Sequence, residues 1–296
     1  STALAAFSLK NGIRAIQSVA VHSGLALGQI RSAEADSRYG EAWTWYRWTP
    51  WLQLVGGDSC RYDKAWALAE RGELERAAET FEELGSYRDS GTRRDQCRKY
   101  QMAEQSSSLL EQYTGYHALG DFLDSAEQAE RRIPSLYTEA IKAYKSKKWK
   151  EAYQILTLVP SSDETDCYRD ALEAYYNLQD CANGRGNLSW RSNLAVLRRL
   201  STKVEVGDFC MDSEIIHYFL DGFWSTRSGH TFEYNVEERI FDFYPETVPY
   251  TSYNFTKQGM FTVGDNKKYV SWRYVDFDQI TITFTGTGRS YQYYRD

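Results

Sequence analysis

The sequence has little of what metal chemistry and nucleophilic catalysis require. Its 296 residues include five cysteines, Cys60, Cys97, Cys167, Cys181 and Cys210, and no two are separated by two residues. A zinc site needs four converging ligands, usually from closely spaced pairs, so no zinc module is expected. So few cysteines in so long a chain also exclude a disulfide framework, and Cys167 and Cys181 are the one pair that a turn would bring together. The four histidines, His22, His117, His217 and His230, are too scattered for metal-ligand spacing. No Gly-x-Ser-x-Gly elbow occurs. Gly184-Arg185-Gly186 and Gly286-Thr287-Gly288 lack the lysine of a phosphate loop and the third glycine of a dinucleotide site. The carboxylate pairs Glu237-Glu238 and Asp276/Asp278 fall at expected turns, where water keeps both members charged. The chain therefore reads as non-enzymatic, with no metal and no cofactor expected.

Long hydrophobic runs are missing too. No stretch of about 18 uncharged apolar residues exists, so no membrane-spanning helix is expected. A basic excess is also lacking. Asp and Glu number 41 against 35 Lys and Arg, which argues against a nucleic-acid partner.

Aromatics are plentiful and unevenly placed. Residues 204–296 hold 22 of the 45 Phe, Trp and Tyr residues, and their 14 acids against 8 bases carry the whole net charge of -6. That shift marks a boundary near residue 204. The expected fold is α+β and multidomain: an N-terminal α-solenoid of helical hairpins followed by a small antiparallel β-meander or barrel. The expected parts are an N-terminal helix and Trp-rich cap over 1–60, helical repeats with a capping helix over 61–203, and an antiparallel β domain over 204–296.

Residues 1–35 read as one helix, with Leu9, Ile13, Ile16, Ala20, Leu27 and Ile30 at helical spacing. A second reading is a helix lying in a membrane interface. Next comes a run with Tyr39, Trp43, Trp45, Tyr46, Trp48 and Trp51, broken at Pro50. So many tryptophans must bury most of their surface, as a cap under the first repeat or as an aromatic platform for carbohydrate or peptide. Gly56-Gly57-Asp58-Ser59 reads as a loop.

From Tyr62 the pattern repeats. Tyr62, Ala65, Trp66 and Ala69 form one inner stripe, and Leu74, Ala77, Ala78, Phe81 and Leu84 the next, with Gly72 turning the chain between them. Leu84-Gly85-Ser86-Tyr87-Arg88-Asp89-Ser90 returns as Leu119-Gly120-Asp121-Phe122-Leu123-Asp124-Ser125, a period of 35. A period in the thirties with one hairpin per repeat indicates a stacked helical array. Gly85 is expected to end a helix in the left-handed conformation, and Asp89-Ser90 to cap the next. Repeat starts are expected at Tyr62, Tyr100 and Tyr137. Lys145–Lys150 (KSKKWK) reads as a solvated turn with Trp149 facing inward, or as a contact for an acidic partner. A helix over 189–203 is expected to seal the array.

The closing phrases, with Glu75-Arg76-Ala77 and Lys150-Glu151-Ala152, resemble the tetratricopeptide-like repeat proteins common in Gram-positive gut bacteria. The resemblance covers about residues 62–180 and implies a groove that binds a protein or peptide. The third unit departs from it, with Val159-Pro160-Ser161-Ser162-Asp163 in place of Leu-Gly. Exposed polar residues expected to line the groove are Lys64, Glu70, Glu104, Glu139 and Lys142. The resemblance also implies a membrane tether ahead of Ser1, so the compartment is cytoplasmic or membrane-anchored.

Beyond Leu220 the period changes from 3.6 to 2. Seven strands are expected, over 222–226, 230–236, 239–244, 253–263, 269–274, 279–285 and 290–295. Gly222-Phe223-Trp224 and the Tyr-rich ending Ser290–Arg295 resemble a lipocalin-like module. As a barrel, this part would point Trp224, Phe232, Tyr234, Phe241, Phe243, Phe261, Trp272 and Phe284 inward. The functional expectation is a non-enzymatic protein- or peptide-binding scaffold. The alternatives are a carrier of small apolar ligands through the barrel, and a carboxylate-dependent glycan hydrolase.

Overall fold

The computed structural model describes the backbone of residues 2–185, 189–212, 214–237, 240–244, 260–263, 268–284 and 288–296; the side chains of 2–16, 240–244, 260–263, 268–272 and 284 lie outside the described set. The chain is mostly helical, with an antiparallel sheet at its C-terminal end. It divides into two compact units, Ser1–Leu136 and Tyr137–Asp296. The composition boundary near 204 falls inside the second unit.

In the first unit, α1 (Thr2–Ala35), α2 (Tyr39–Trp48), α3 (Pro50–Glu70), α4 (Leu74–Glu83), α5 (Ser90–Gln105) and α6 (Leu109–Leu119) each pack on the next. Ala26, Ile30 and Ala33 of α1 meet Ala42, Tyr46, Leu52 and Cys60 in one apolar cluster. Trp43 and Trp45 pack against that cluster. Trp48 does not: it is 74% exposed, and Trp51 is 42% exposed with its indole N–H on the Ser23 hydroxyl at 2.7 Å. Helical phase accounts for Trp48, which stands two residues from Tyr46 and so off the stripe that Ala42 and Tyr46 bury. The expected loop at Gly56–Ser59 is instead a kink inside α3, where Gly57 takes φ 53° and ψ -132°.

Helix ends follow local chemistry. Gly72 (φ 80°) ends α3, its N–H bonding the Ala69 carbonyl while the Glu73 N–H bonds that of Leu68. This Schellman pattern satisfies two carbonyls that a helix end leaves orphaned. Lys147, at φ 61°, occupies the same place between α7 (Ser125–Lys145) and α8 (Trp149–Leu158): its N–H bonds Tyr144 and that of Lys148 bonds Ala143. A side chain in that conformation is strained by about 1–2 kcal/mol.

The repeated phrase is a linker with one geometry used twice. Gly85 and Gly120 both have positive φ (56° and 57°), and so do Arg88 and Leu123 (48° and 52°). The Tyr87 and Phe122 N–H groups bond the Leu84 and Leu119 carbonyls, and the Ser90 and Ser125 N–H groups bond those of Tyr87 and Phe122. Asp89 does not cap α5 as expected. Its carboxylate instead accepts the Tyr62 hydroxyl at 2.5 Å and Arg93 Nε at 2.7 Å. Asp124 likewise accepts the Tyr100 hydroxyl at 2.6 Å and Gln128 Nε2 at 2.8 Å. In the second unit the Tyr137 hydroxyl donates instead to a backbone carbonyl, that of Pro160, at 2.9 Å. The three tyrosines thus mark the closure of helix pairs and not their starts: α5 begins at Ser90 and α7 at Ser125.

In the second unit, α8 packs on α9 (Asp166–Ala182) and α9 on α10 (Trp190–Leu200), followed by the short α11 (Gly207–Cys210) and α12 (Ile216–Leu220). Seven strands follow: β1 (Gly222–Ser225), β2 (Thr231–Asn235), β3 (Ile240–Tyr244), β4 (Met260–Val263), β5 (Lys268–Asp276), β6 (Gln279–Phe284) and β7 (Arg289–Arg295). Their order is β3-β2-β1-β7-β6-β5-β4, all antiparallel. Two meanders therefore join where the first strand pairs with the last. Among the described residues no pairing links β3 to β4, so the sheet is open and the expected barrel is not closed.

Arg295 ties the last strand to α12. Its guanidinium donates to the Phe219, Asp221 and Phe277 carbonyls and lies 4.2 Å from the Trp224 ring centre. Burial pulls its pKa down to about 10. The carbonyls at the end of α12 carry negative partial charge and suit a cation.

Two stability tests follow from these closures. Burial pushes the Asp89 carboxyl up, but Tyr62 and Arg93 outweigh it and hold it low; Gln128 and Tyr100 hold Asp124 low. Tyr100→Phe is expected to cost about 1–2 kcal/mol at neutral pH in urea titration. That cost should shrink as pH falls through the depressed Asp124 pKa, because a protonated carboxyl accepts more weakly. Lys147→Gly is expected to stabilise the protein by about 1 kcal/mol in the same assay, since its exposed ion pair with Asp208 contributes little.

Candidate functional site

The KSKKWK run becomes the rim of a pocket. Lys147, Lys148, Trp149, Lys150, Glu151 and Gln154, at the start of α8, face Tyr175, Tyr176 and Gln179 of α9 across a volume of about 560 Å³. Trp149 faces inward, as expected: its ring meets Tyr175 at 5.2 Å and Phe209 at 4.8 Å, edge to face in both cases. Tyr175 stacks on Phe209 at 4.5 Å. Its hydroxyl donates to Asp212 at 2.9 Å and accepts from Gln179 Nε2 at 2.9 Å. Burial raises the Tyr175 and Tyr176 phenols, so both stay neutral and can donate. The wall is rigid and aromatic, and the rim is cationic.

The electrostatics of the rim are loosely balanced. Lys147 pairs with Asp208 at 2.8 Å and Lys148 with Glu151 at 3.3 Å, all through exposed side chains. Exposed pairs of this kind are weak and exchange readily with other partners. No carboxylate lies within ion-pair distance of Lys150 among the described residues. Lys148 occupies the N-cap position of α8 and offers no acceptor to the first N–H groups of the helix.

The residues expected to line a groove are not gathered at this pocket. Lys64 and Glu70 lie on α3, Glu104 on α5, and Glu139 and Lys142 on α7; all five are exposed and none lines the pocket. Glu70 folds back on the Gly40 backbone N–H, while burial raises its pKa. Of the aromatics expected inside a barrel, Trp224, Phe232 and Tyr234 are fully buried. Trp224 stacks on Phe232 at 5.8 Å, Phe232 meets Tyr293 at 5.2 Å, and the Trp224 indole N–H bonds the Leu220 carbonyl. Among the described residues they pack into the protein's own core. The side chains of Phe241, Phe243, Phe261, Trp272 and Phe284 lie outside the described residues.

None of the five cysteines is in a disulfide, Cys167 and Cys181 included. Among the described residues no group of three or more His, Cys, Asp or Glu side chains converges as a metal set. Glu238 of the Glu237-Glu238 pair lies outside the described residues. Asp276 accepts the Asp278 N–H at 2.8 Å, and Asp278 receives Arg198 at 2.7 Å, so these two acids build a turn.

Sequence reasoning missed a buried carboxyl pair in the first unit. Asp63 of α3 is wholly buried, and no N–H or O–H donates to either of its oxygens. Its neighbour is the Glu34 carboxyl of α1. Two carboxyls bond each other only when one carries a proton. Burial, then the Glu34 charge and hydrogen bond, push Asp63 up to about 8 against the pull of Arg88. Glu34 is held by the Ser59 hydroxyl at 2.5 Å and lies 3.8 Å from Arg88; Tyr46 and Cys60 also face the pair. The signal was available, because Asp63 interrupts the apolar stripe of Tyr62, Ala65 and Trp66. The pair joins α1 to α3.

Comparison with protein-family models, curated proteins and solved structures finds no match for this chain.

The carboxyl pair makes stability depend on pH with a definite sign. The folded Asp63 pKa lies above its unfolded value, so the native state binds the extra proton. Its contribution is complete below about pH 4 and is lost as pH rises through about 8. Asp63→Asn should remove that slope. In urea titrations at pH 5 and pH 9 it should be nearly neutral at the lower pH and stabilising by on the order of 2 kcal/mol at the higher.

Proposed function

We propose that the chain is a non-enzymatic scaffold that binds a protein or peptide segment. In this reading the helix pairs are a short array of the tetratricopeptide-like kind, and the C-terminal sheet is a lipocalin-like module. The array is supported by the linker phrase that recurs after 35 residues with the same backbone hydrogen bonds. A repeat whose core is small and whose exposed positions vary suits partner recognition.

The observation that carries the binding reading is the pocket between α8 and α9. Its rigid wall of Trp149, Tyr175 and Tyr176 offers apolar contact at little entropic cost, and its lysines and glutamines offer polar contacts at the edge. The packing of Trp224, Phe232, Tyr234 and Tyr293 into the protein's own core argues against a carrier of small apolar ligands. Probing a peptide array with the full chain tests the proposal. The expected result is a set of retained peptides whose dissociation constants in solution are about 1–100 μM. Retention of no peptide above buffer background would sink it.

A further inference from the structure

We propose that the pocket at the start of α8 takes an acidic peptide segment. Its carboxylates are held by Lys148, Lys150 and the first N–H groups of α8, and its apolar parts lie on Trp149 and Tyr176. This rests on the scaffold reading above and adds the chemistry of the partner.

Three observations select an acidic partner. The rim carries three lysines against one acid, Glu151. Two of those lysines are engaged in ion pairs that are exposed on both sides, and Lys150 is free of one among the described residues. An incoming carboxylate therefore meets cations whose existing partners are weakly held. The start of α8 adds donors of the same sense. Lys148 at the N-cap has only donor atoms, so no acceptor from that residue covers the first N–H groups, and the helix dipole places positive partial charge there. The floor, finally, is fixed before binding: Trp149 packs edge-on against the stacked pair of Tyr175 and Phe209, and Tyr175 is locked by Asp212 and Gln179. A peptide that alternates acids with apolar residues would satisfy rim and floor together.

Fluorescence anisotropy with the full chain and a fluorescein-labelled peptide of alternating glutamate and tyrosine tests this directly. Binding is expected. The double variant Lys148→Glu/Lys150→Glu, both positions being at the surface, should weaken it at least about tenfold with unchanged circular dichroism. Raising salt from about 50 to about 500 mM should weaken it severalfold. Trp149→Phe, which leaves every charge in place, should weaken it less than the charge reversal does. The inference is overturned if charge reversal leaves affinity within about twofold, or if a lysine-tyrosine peptide binds equally well. Tighter binding of a single-stranded oligonucleotide of equal charge would also overturn it. Array ligands that are neutral or basic and indifferent to the charge reversal would end this inference and leave the scaffold reading standing. An empty array together with a silent acidic peptide would end both.

Discussion

Two helix pairs of the first unit, α3–α4 and α5–α6, are each held shut by a tyrosine whose ring packs edge-on against a neighbouring aromatic and whose hydroxyl reaches a linker aspartate. The two roles cannot be separated. A phenol gains by burying its ring but must still find an acceptor for its O–H. Tyr62 and Tyr100 find it in Asp89 and Asp124, the sixth residue of each linker phrase. A linker that shifted would leave a buried donor without a partner. That constraint makes the left-handed conformation of Arg88 and Leu123 tolerable, because the strain of a non-glycine residue persists only where the surroundings leave no alternative. Arg88 also lies over the rings of Tyr39, Tyr62 and Tyr87, so its side chain compensates for part of what its backbone gives up.

The same residue type behaves in opposite ways a short distance along the chain. Asp89 and Asp63 both belong to the first unit and both resist burial. Asp89 receives a hydroxyl and a guanidinium and is held low; Asp63 receives no donor and faces another carboxyl, so it is held high. Donors, and not depth alone, decide the charge state. One carboxyl is thus a permanent anion that fixes a linker, and the other is a proton carrier that joins α1 to α3.

Secondary structure was largely legible because periodicity reports it directly. Six strands appear near their expected positions, only the end of the expected 253–263 strand lies within the described residues (Met260–Val263), and the helices between Tyr62 and Asp180 follow their apolar stripes. What the sequence hid were relations that periodicity does not encode. A period of 2 says nothing about which strands adjoin, so the pairing of β1 with β7 was invisible. Tyrosine spacing of 38 and 37 suggested repeat starts, whereas those residues close repeats from within the helices. The kink at Gly57 looked like a loop because glycine permits both. The pocket was half legible: the basic run and an inward Trp149 could be read, but Tyr175, Tyr176 and Gln179 arrive from the next helix.

The basic turn before α8 carries a structural cost at the rim of the proposed binding pocket. Gly72 ends α3 without strain, and glycine would serve equally at position 147, where lysine is found in the same left-handed conformation. Stability alone would select glycine there. The lysine adds a cation at the mouth of a pocket whose floor is already rigid and whose helix start already presents donors. Under the proposed reading, a residue that costs stability at a turn, beside two more lysines and an aromatic wall, is accounted for by the acidic partner it would meet.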